Sequence, residues 1–379
     1  MPRSENGSVV GARNATSINN AVGVFNAKSQ FNANMSGYWP RSGNIMVALA
    51  HTNSPYISVY SFSSLGFGSK FSDPGTLPTG TGNAVRFNST GKVIAVAHTT
   101  TPFISTYPWT TGSGFGSKYS NPGTLPASTG NDVVFNSVNN IIVVGHSTTP
   151  GIAAYLWSDS TGFGTKYANP STVPVSGYGV DFYQNDVLIG AGTTPYIMAY
   201  PIDSVSGFGT KYGNPAATPP IGANDVKFNP SGTVAIVTSG NTPYVTAYPW
   251  SGAGFGTKYS NPTITNIGGD VNNASFAPGG GALVVANADI SGANKYIFGW
   301  PWNDISGFGS PYSFTASTLP NTGNGVGFHP QGNFIFFGHT SSPYISAFPW
   351  SDSTALGTKL ANPGTLPAGA GRRLDIKII

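Results

Sequence analysis

The chain has no cysteine, so neither a disulfide framework nor thiolate chemistry is open to it, and it suits any redox compartment. Charge is also scarce. Seventeen Lys and Arg stand against 13 Asp and Glu, 8% of 379 residues, where an average domain has about 25%. The formal net charge of +4 therefore rests on few groups, scattered except for Arg372-Arg373. Nucleic-acid binders gather Lys and Arg into a patch or stripe, so no nucleic-acid partner is expected. No run approaches the ~18 apolar residues of a membrane-spanning helix. The start of the chain, MPRSENGSVVGARNATS, lacks the apolar core of a signal peptide. No segment keeps a helical period.

What is abundant is Gly (51), Pro (30), Ser, Thr and Asn, together with 13% aromatics. Low charge with low hydrophobicity favours disorder, but the aromatics and the regular Val/Ile runs argue for a packed β core. Those runs repeat. GFG recurs from Gly66, Gly114, Gly162, Gly207, Gly254 and Gly307, and decays to Ala355-Leu356-Gly357. A Pro-aromatic pair keeps step at Pro55-Tyr56, Pro102-Phe103, Pro195-Tyr196, Pro243-Tyr244 and Pro343-Tyr344. It is degraded to Pro150-Gly151 in the third copy and Lys295-Tyr296 in the sixth. A period of roughly 45–50 residues made of short strands marks propeller blades.

The clearest unit runs from Asn83: NAVRFNSTGKVIAVAHTTTPFISTYPWTTGSGFGSKYSNPGTLPASTG. Val85–Phe87 alternates, and Asn88–Gly91 has turn chemistry. Val93–Ala97 is continuously apolar, as in a strand buried on both faces. Phe103–Tyr107 precedes Pro108-Trp109. Ser117–Tyr119 is expected to be a short fourth strand, with a solvent-exposed rim Lys (Lys70, Lys118, Lys166, Lys211, Lys258, Lys359) and a following Asx-Pro that protect the edge. GFG reads as a turn into that strand, its Gly supplying positive φ and its Phe packing between blades. The first strand lines the channel.

The fold class is therefore all-β: a seven-bladed β-propeller of four-stranded antiparallel blades. Residues 1–36 read as a flexible N-terminal arm and 37–379 as the propeller. Second and third strands occur seven times but the first-strand pattern eight times, from Tyr38-Trp39 to Leu374–Ile376. The C-terminal copy is expected to close blade one beside Asn44–Ala50, with Tyr38-Trp39 as its rival.

The pattern V-x-F-x-P-x-G, then I-A-V-A-H, then P-Y-I-x-x-Y, best kept at Val226–Gly232 and Val326–Gly332, resembles WD40-like and YVTN-type propeller repeats over residues 37–379. It departs where WD40 repeats carry Trp-Asp. Tyr-Pro stands there instead (Tyr107-Pro108, Tyr200-Pro201, Tyr248-Pro249), so the Asp–His network of that family is not carried over. The dialect GFGTKYxNPxTLP resembles bacteriophage-encoded repeats, and this resemblance implies a virion protein.

Candidate chemistry is thin. His51, His98, His146 and His339 share one slot at the end of the second strand, held elsewhere by Ala191, Ser239 and Asn287. Equivalent positions on neighbouring blades lie too far apart to ligate one ion at ~2.1 Å, so the slot reads as structural, hydrogen-bonding the loop that follows. Asp132, Asp181, Asp225 and Asp270 fall near the channel with no pair singled out for acid/base work. GFG lacks the features of a phosphate loop. Trp109, Trp157, Trp250, Trp302 and Trp350 follow the third strand. Exposed, they would stack on sugars; wedged between blades, they would be plugs. The sixth copy deviates most, with Ala288, Asp289 and Asn294 in an insertion, Trp300 for the usual Tyr and Pro311 for the rim Lys.

With so little candidate chemistry, the resemblance to bacteriophage-encoded repeats implies a non-enzymatic virion fibre or decoration protein without cofactor or metal. It would be made in the host cytoplasm without a signal peptide or membrane insertion, and would dock to capsid or tail proteins and touch the host surface. The five Trp and the Ala288–Asn294 insertion are the candidate binding residues. The alternative is a glycan-binding propeller, and a propeller hydrolase or lyase ranks behind both.

Overall fold

A computed structural model describes residues 44–264, 269–288, 296–314 and 318–379. The chain divides into two units, Met1–Gly43 and Asn44–Ile379. The expected arm, the Ala21–Phe31 segment and the rival strand Tyr38-Trp39 lie outside the described residues, as do Asp289 and Asn294.

Among the described residues all regular structure is strand, arranged as seven four-stranded antiparallel sheets. Blade two shows the pattern from axis to rim: Gly82–Phe87, Val93–His98, Ile104–Thr110 and Gly114–Phe115. The inner strands of blades three to seven begin at Gly130, Gly177, Ala223, Val271 and Gly323. Each inner strand touches the inner strands of both neighbouring blades, and the cycle closes on itself. The fold is a seven-bladed β-propeller.

Blade one takes its inner strand from the far end of the sequence. Gly371–Ile378 pairs antiparallel with Ile45–His51, with Ile45 opposite Ile378, Val47 opposite Ile376 and Leu49 opposite Leu374. Two further backbone bonds join Asn44 and Ile379, at 2.9 and 3.0 Å. The remaining strands of this blade are Ile57–Ser63 and Gly66–Lys70.

The core is seven cores, one between each pair of adjacent blades. That is why the second strands carry an unbroken apolar run: Val93–His98 is buried throughout because each face packs on a different neighbour. The cluster between blades seven and one includes Leu374 and Ile376 of the closing strand.

The outer strand differs from the sequence expectation. It begins at GFG itself, not at Ser117, and in five blades it is two residues long. It runs on to the Lys only in blades one and three, as Gly66–Lys70 and Gly162–Lys166. The cause sits opposite. The five short blades carry Pro108, Pro201, Pro249, Pro301 or Pro349 on the third strand, and the two long ones carry Ser61 and Leu156. The Pro108 carbonyl accepts from Gly116, just past the outer strand, so the missing proline N–H faces that side and costs the strand a ladder bond that would extend it. The GFG glycines do adopt positive φ, from 77° at Gly114 to 113° at Gly66. The rim lysines are not free in solvent. All but the exposed Lys359 are half-buried, and Lys166 and Lys211 donate to the Asn three residues on at 2.8 and 2.6 Å.

Two measurements check this architecture. Val96→Ala, at a site with neighbours on both faces, should cost about 1–4 kcal/mol in denaturant titration. Lys118→Ala, whose bond to Asn121 lies at the rim, should cost less than about 1 kcal/mol. Equal costs would refute the inside–outside order. Deleting residues 371–379 should lower the melting temperature by about 5 °C or more, and an unchanged melting curve would show that another segment can close the ring.

Candidate functional site

The inner strands set side chains into the channel in rows, one residue per blade. The row nearest the mouth is Asn83, Asn131, Tyr178, Asn224, Asn272, Asn324 and Arg372, and it lines a cup of about 190 Å³. Each of the five Asn is half-buried and held in place. Its Nδ2 donates to a backbone carbonyl of the next blade: Asn83 to Gly130 at 2.8 Å, Asn131 to Gly177 at 2.8 Å, Asn224 to Val271 at 3.1 Å, Asn272 to Gly323 at 2.9 Å and Asn324 to Gly371 at 2.8 Å. The glycine before Asn83 has its own cause. A Cβ on Gly82 would lie 2.3 Å from the carbonyl oxygen of Tyr56, a residue at φ 69° in the preceding blade.

Arg373 makes the floor. It leaves the closing strand of blade one, pairs with Asp132 of blade three, lies 3.2 Å from Asp225 of blade five, and donates to the Asn224 carbonyl. Lys227 lies 3.1 Å from Asp225, and Arg86 lies 3.9 Å from Asp132. Burial works against the charge of Asp132, but Arg373 and Arg86 more than offset it and hold its pKa below the usual carboxylate value. Asp132 and Asp225 also accept from the inner-strand amides of the following blades, at Val180 and Ala274, both at 3.2 Å. Arg372 is exposed at the mouth and forms no ion pair among the described residues; crowding by the protein lowers its pKa from the ordinary value.

Below the floor a second space of about 160 Å³ holds Asp181, Asp375, Arg86 and Lys227. Asp181 accepts from Phe228 N at 2.8 Å and Asp375 from Phe87 N at 2.7 Å. Burial raises both carboxyls above the usual value, against the pull of Lys227 on one and Arg86 on the other.

The residues singled out from the sequence lie elsewhere. Trp109, Trp157, Trp250, Trp302 and Trp350 are 2–5% exposed. Each packs edge-on against aromatic rings, as Trp157 does against Tyr119, Phe135 and Phe163. Three fix their indole N–H on an Asp two residues on: Trp157 on Asp159, Trp302 on Asp304 and Trp350 on Asp352. No ring face is left for a sugar. Trp300 is likewise buried and donates to the Thr263 carbonyl at 3.2 Å. Ala288 donates its backbone N–H to Asp270. Asp270 is exposed, so the four aspartates do not form one set.

The histidines are buried. Nε2 of His51, His98 and His339 shares a hydrogen bond with Ser58, Ser105 and Ser346 of the third strand, at 3.0, 3.0 and 2.9 Å. Blade three, with His146, has Ala153 where the others have that serine. The sequence reading missed the Asn row altogether. Its signal is an Asn two residues before the Val of Val-x-Phe.

No protein-family model matches the chain, and no curated protein does. Solved structures do, over nearly their whole length. A protein of Bacteroides fragilis, provisionally assigned as a 6-phosphogluconolactonase, has TM-score 0.69 and 12% identity, covering 90% of this chain and 99% of that one. A second, from Bacteroides uniformis, has TM-score 0.70 and 11% identity, covering 88% and 100%. The periplasmic gluconolactonase of Pseudomonas aeruginosa has TM-score 0.68 and 15% identity, covering 88% and 99%. At such identity the likeness carries the fold. The names of these neighbours nevertheless run against a non-enzymatic virion component, and that expectation is corrected together with its glycan-binding alternative.

The buried histidines generate a pH prediction. Burial lowers the pKa of His51, His98, His329 and His339 from 6.5 to about 4. The unfolded chain thus binds protons that the folded chain refuses. Stability present above pH 6.5 should be lost as pH falls toward 4, by up to about 1.4 kcal/mol per pH unit for each histidine. Asp181 and Asp375, raised in the fold, act in the opposite sense, so the comparison that isolates the histidine is with His98→Asn. Denaturant titrations from pH 7 to 4.5 should show a slope shallower by about one proton in that variant. Identical slopes would mean that His98 is not buried as a neutral ring.

Proposed function

We propose that the chain is a hydrolase of sugar-acid lactones whose substrate docks in the cup at the channel mouth. The observation that carries this reading is the lining of the cup. Five carboxamides, each anchored by an N–H on the next blade, surround the unpaired Arg372 above the guanidinium of Arg373. Asn83, Asn224, Asn272 and Asn324 each keep a second N–H and an oxygen, a donor and an acceptor suited to hydroxyl groups, whereas Asn131 also bonds Ser147. A guanidinium suits carboxylate or phosphate. Such a cup fits a small polyhydroxylated anion and offers little to an apolar ligand.

The reaction class follows from the neighbours named for lactone hydrolysis. A water oxygen adds to the lactone carbonyl carbon, the ring C–O bond breaks, and the departing alkoxide takes up the proton to give a hydroxy acid. Arg372 and the free Asn N–H groups supply charge stabilisation for the oxyanion that forms on the way. Among the described residues lining the cup there is neither a carboxylate nor an imidazole. Catalysis therefore rests on positioning an already activated ester and stabilising its oxyanion, without a strong general base.

The test is hydrolysis of 6-phosphoglucono-δ-lactone and glucono-δ-lactone followed against the spontaneous rate. Wild-type protein should exceed that rate, and Arg372→Gln should lower kcat/KM by about tenfold or more. Rates equal to buffer for both lactones, or an Arg372→Gln variant as active as wild type, would overturn the proposal.

A further inference from the structure

The mouth row has two departures from asparagine, Tyr178 in blade four and Arg372 in blade one. In a ring of seven, blade four is as far from blade one as a blade can be. The two departures therefore face each other across the cup. We infer that they orient the ligand, with Arg372 taking the anionic group and Tyr178 stacking on the face of a cyclic sugar. This deepens the reading of the cup as a sugar-acid site and rests on it.

The local sequence leaves space beside the tyrosine. Its ring lies beside Gly192, where a Cβ would come within 3.0 Å of Tyr178 Cε2 and 2.4 Å of Ser176 Oγ. Blades one, two, three and seven carry Thr52, Thr99, Ser147 or Thr340 after the second strand, and blade five, whose row residue is Asn224, carries Gly240. A side chain at Gly192 would press on Ser176 and on the edge of the ring, and glycine leaves both in place. Tyr178 is 39% exposed and lines the cup, in contrast to the buried tyrosines of the third strands such as Tyr107 and Tyr200. A phenol at this point replaces a hydrogen-bonding amide with an apolar face and a polar tip, which matches the C–H face of a pyranose or a δ-lactone ring. An open-chain sugar acid has no such face. Tyr178 is thus a residue that favours the ring form, the form in which a lactone arrives, over the chain form in which the product leaves.

The experiment is calorimetric titration of the full chain with glucuronate, a cyclic acid, and gluconate, an open-chain one. The variants are Tyr178→Asn, which completes the amide row, Tyr178→Phe, which keeps the ring, and Arg372→Gln. Tyr178→Asn should weaken glucuronate about three- to tenfold, leave gluconate within about twofold, and melt at the wild-type temperature. Tyr178→Phe should bind both acids as wild type does, and Arg372→Gln should weaken both alike. If Tyr178→Asn shifts both acids equally, or neither, while Arg372→Gln weakens both, the role of Tyr178 is overturned and the cup stands. If the wild type binds neither acid, the cup reading itself fails.

Discussion

The guanidinium of Arg373 belongs to the strand that closes the ring, yet it bonds to blade three and to blade five. It is buried, and so are both of its carboxylate partners. A buried ion pair returns little net stability, because desolvation offsets the attraction. Removing one member of such a pair costs about 3–5 kcal/mol, since the other charge is left uncompensated. The effect of Arg373 is therefore on arrangement. Alternation along a strand sends Arg373 into the channel and Leu374 into the cluster between blades seven and one. A slip of one residue would exchange them, placing a cation among Phe336 and Leu49 and an isobutyl group beside Asp132. Closure, register and the floor of the cup are thus one constraint.

Much of this architecture was legible because repetition exposes it. Seven copies of a continuously apolar strand can only be buried on both sides, and the surplus first-strand copy at Leu374–Ile376 is the strand now paired with Ile45–His51. The outer strand was misplaced because GFG looked like a turn alone. Its glycine does turn the chain, but the phenylalanine after it already pairs with the third strand, Phe115 opposite Trp109. The information was present in another form: Ser61 and Leu156 interrupt the Tyr-Pro pattern in the two blades whose outer strand runs long.

The candidate site was not legible. Attention to rare aromatic residues selected the Trp set, and a Trp repeated in five blades turned out to be packing, its indole edge against neighbouring rings and its N–H on a local Asp where one is present. The Asn row escaped because Asn is common throughout this chain, in turns and after the rim lysines alike. What distinguishes Asn83 and its equivalents is a carbonyl of the adjacent blade, a partner about 47 residues away that no local pattern names. Charge was legible only in part. The basic residues looked scattered along the chain, but Arg86, Lys227 and Arg373 project from inner strands toward the same axis as Asp132, Asp181, Asp225 and Asp375.

The molecule is therefore a repetitive scaffold in which the seven-fold pattern is broken where chemistry is concentrated, along the channel and at its mouth. The measurement that tests this most directly is a crystal structure of the chain with 6-phosphogluconate. The account places the ligand in the cup, its anionic end on Arg372, its hydroxyls on the Asn row and Arg373 beneath it. Ligand density between blades, on the rim, or at the opposite end of the channel, with the cup filled only by water, would contradict it.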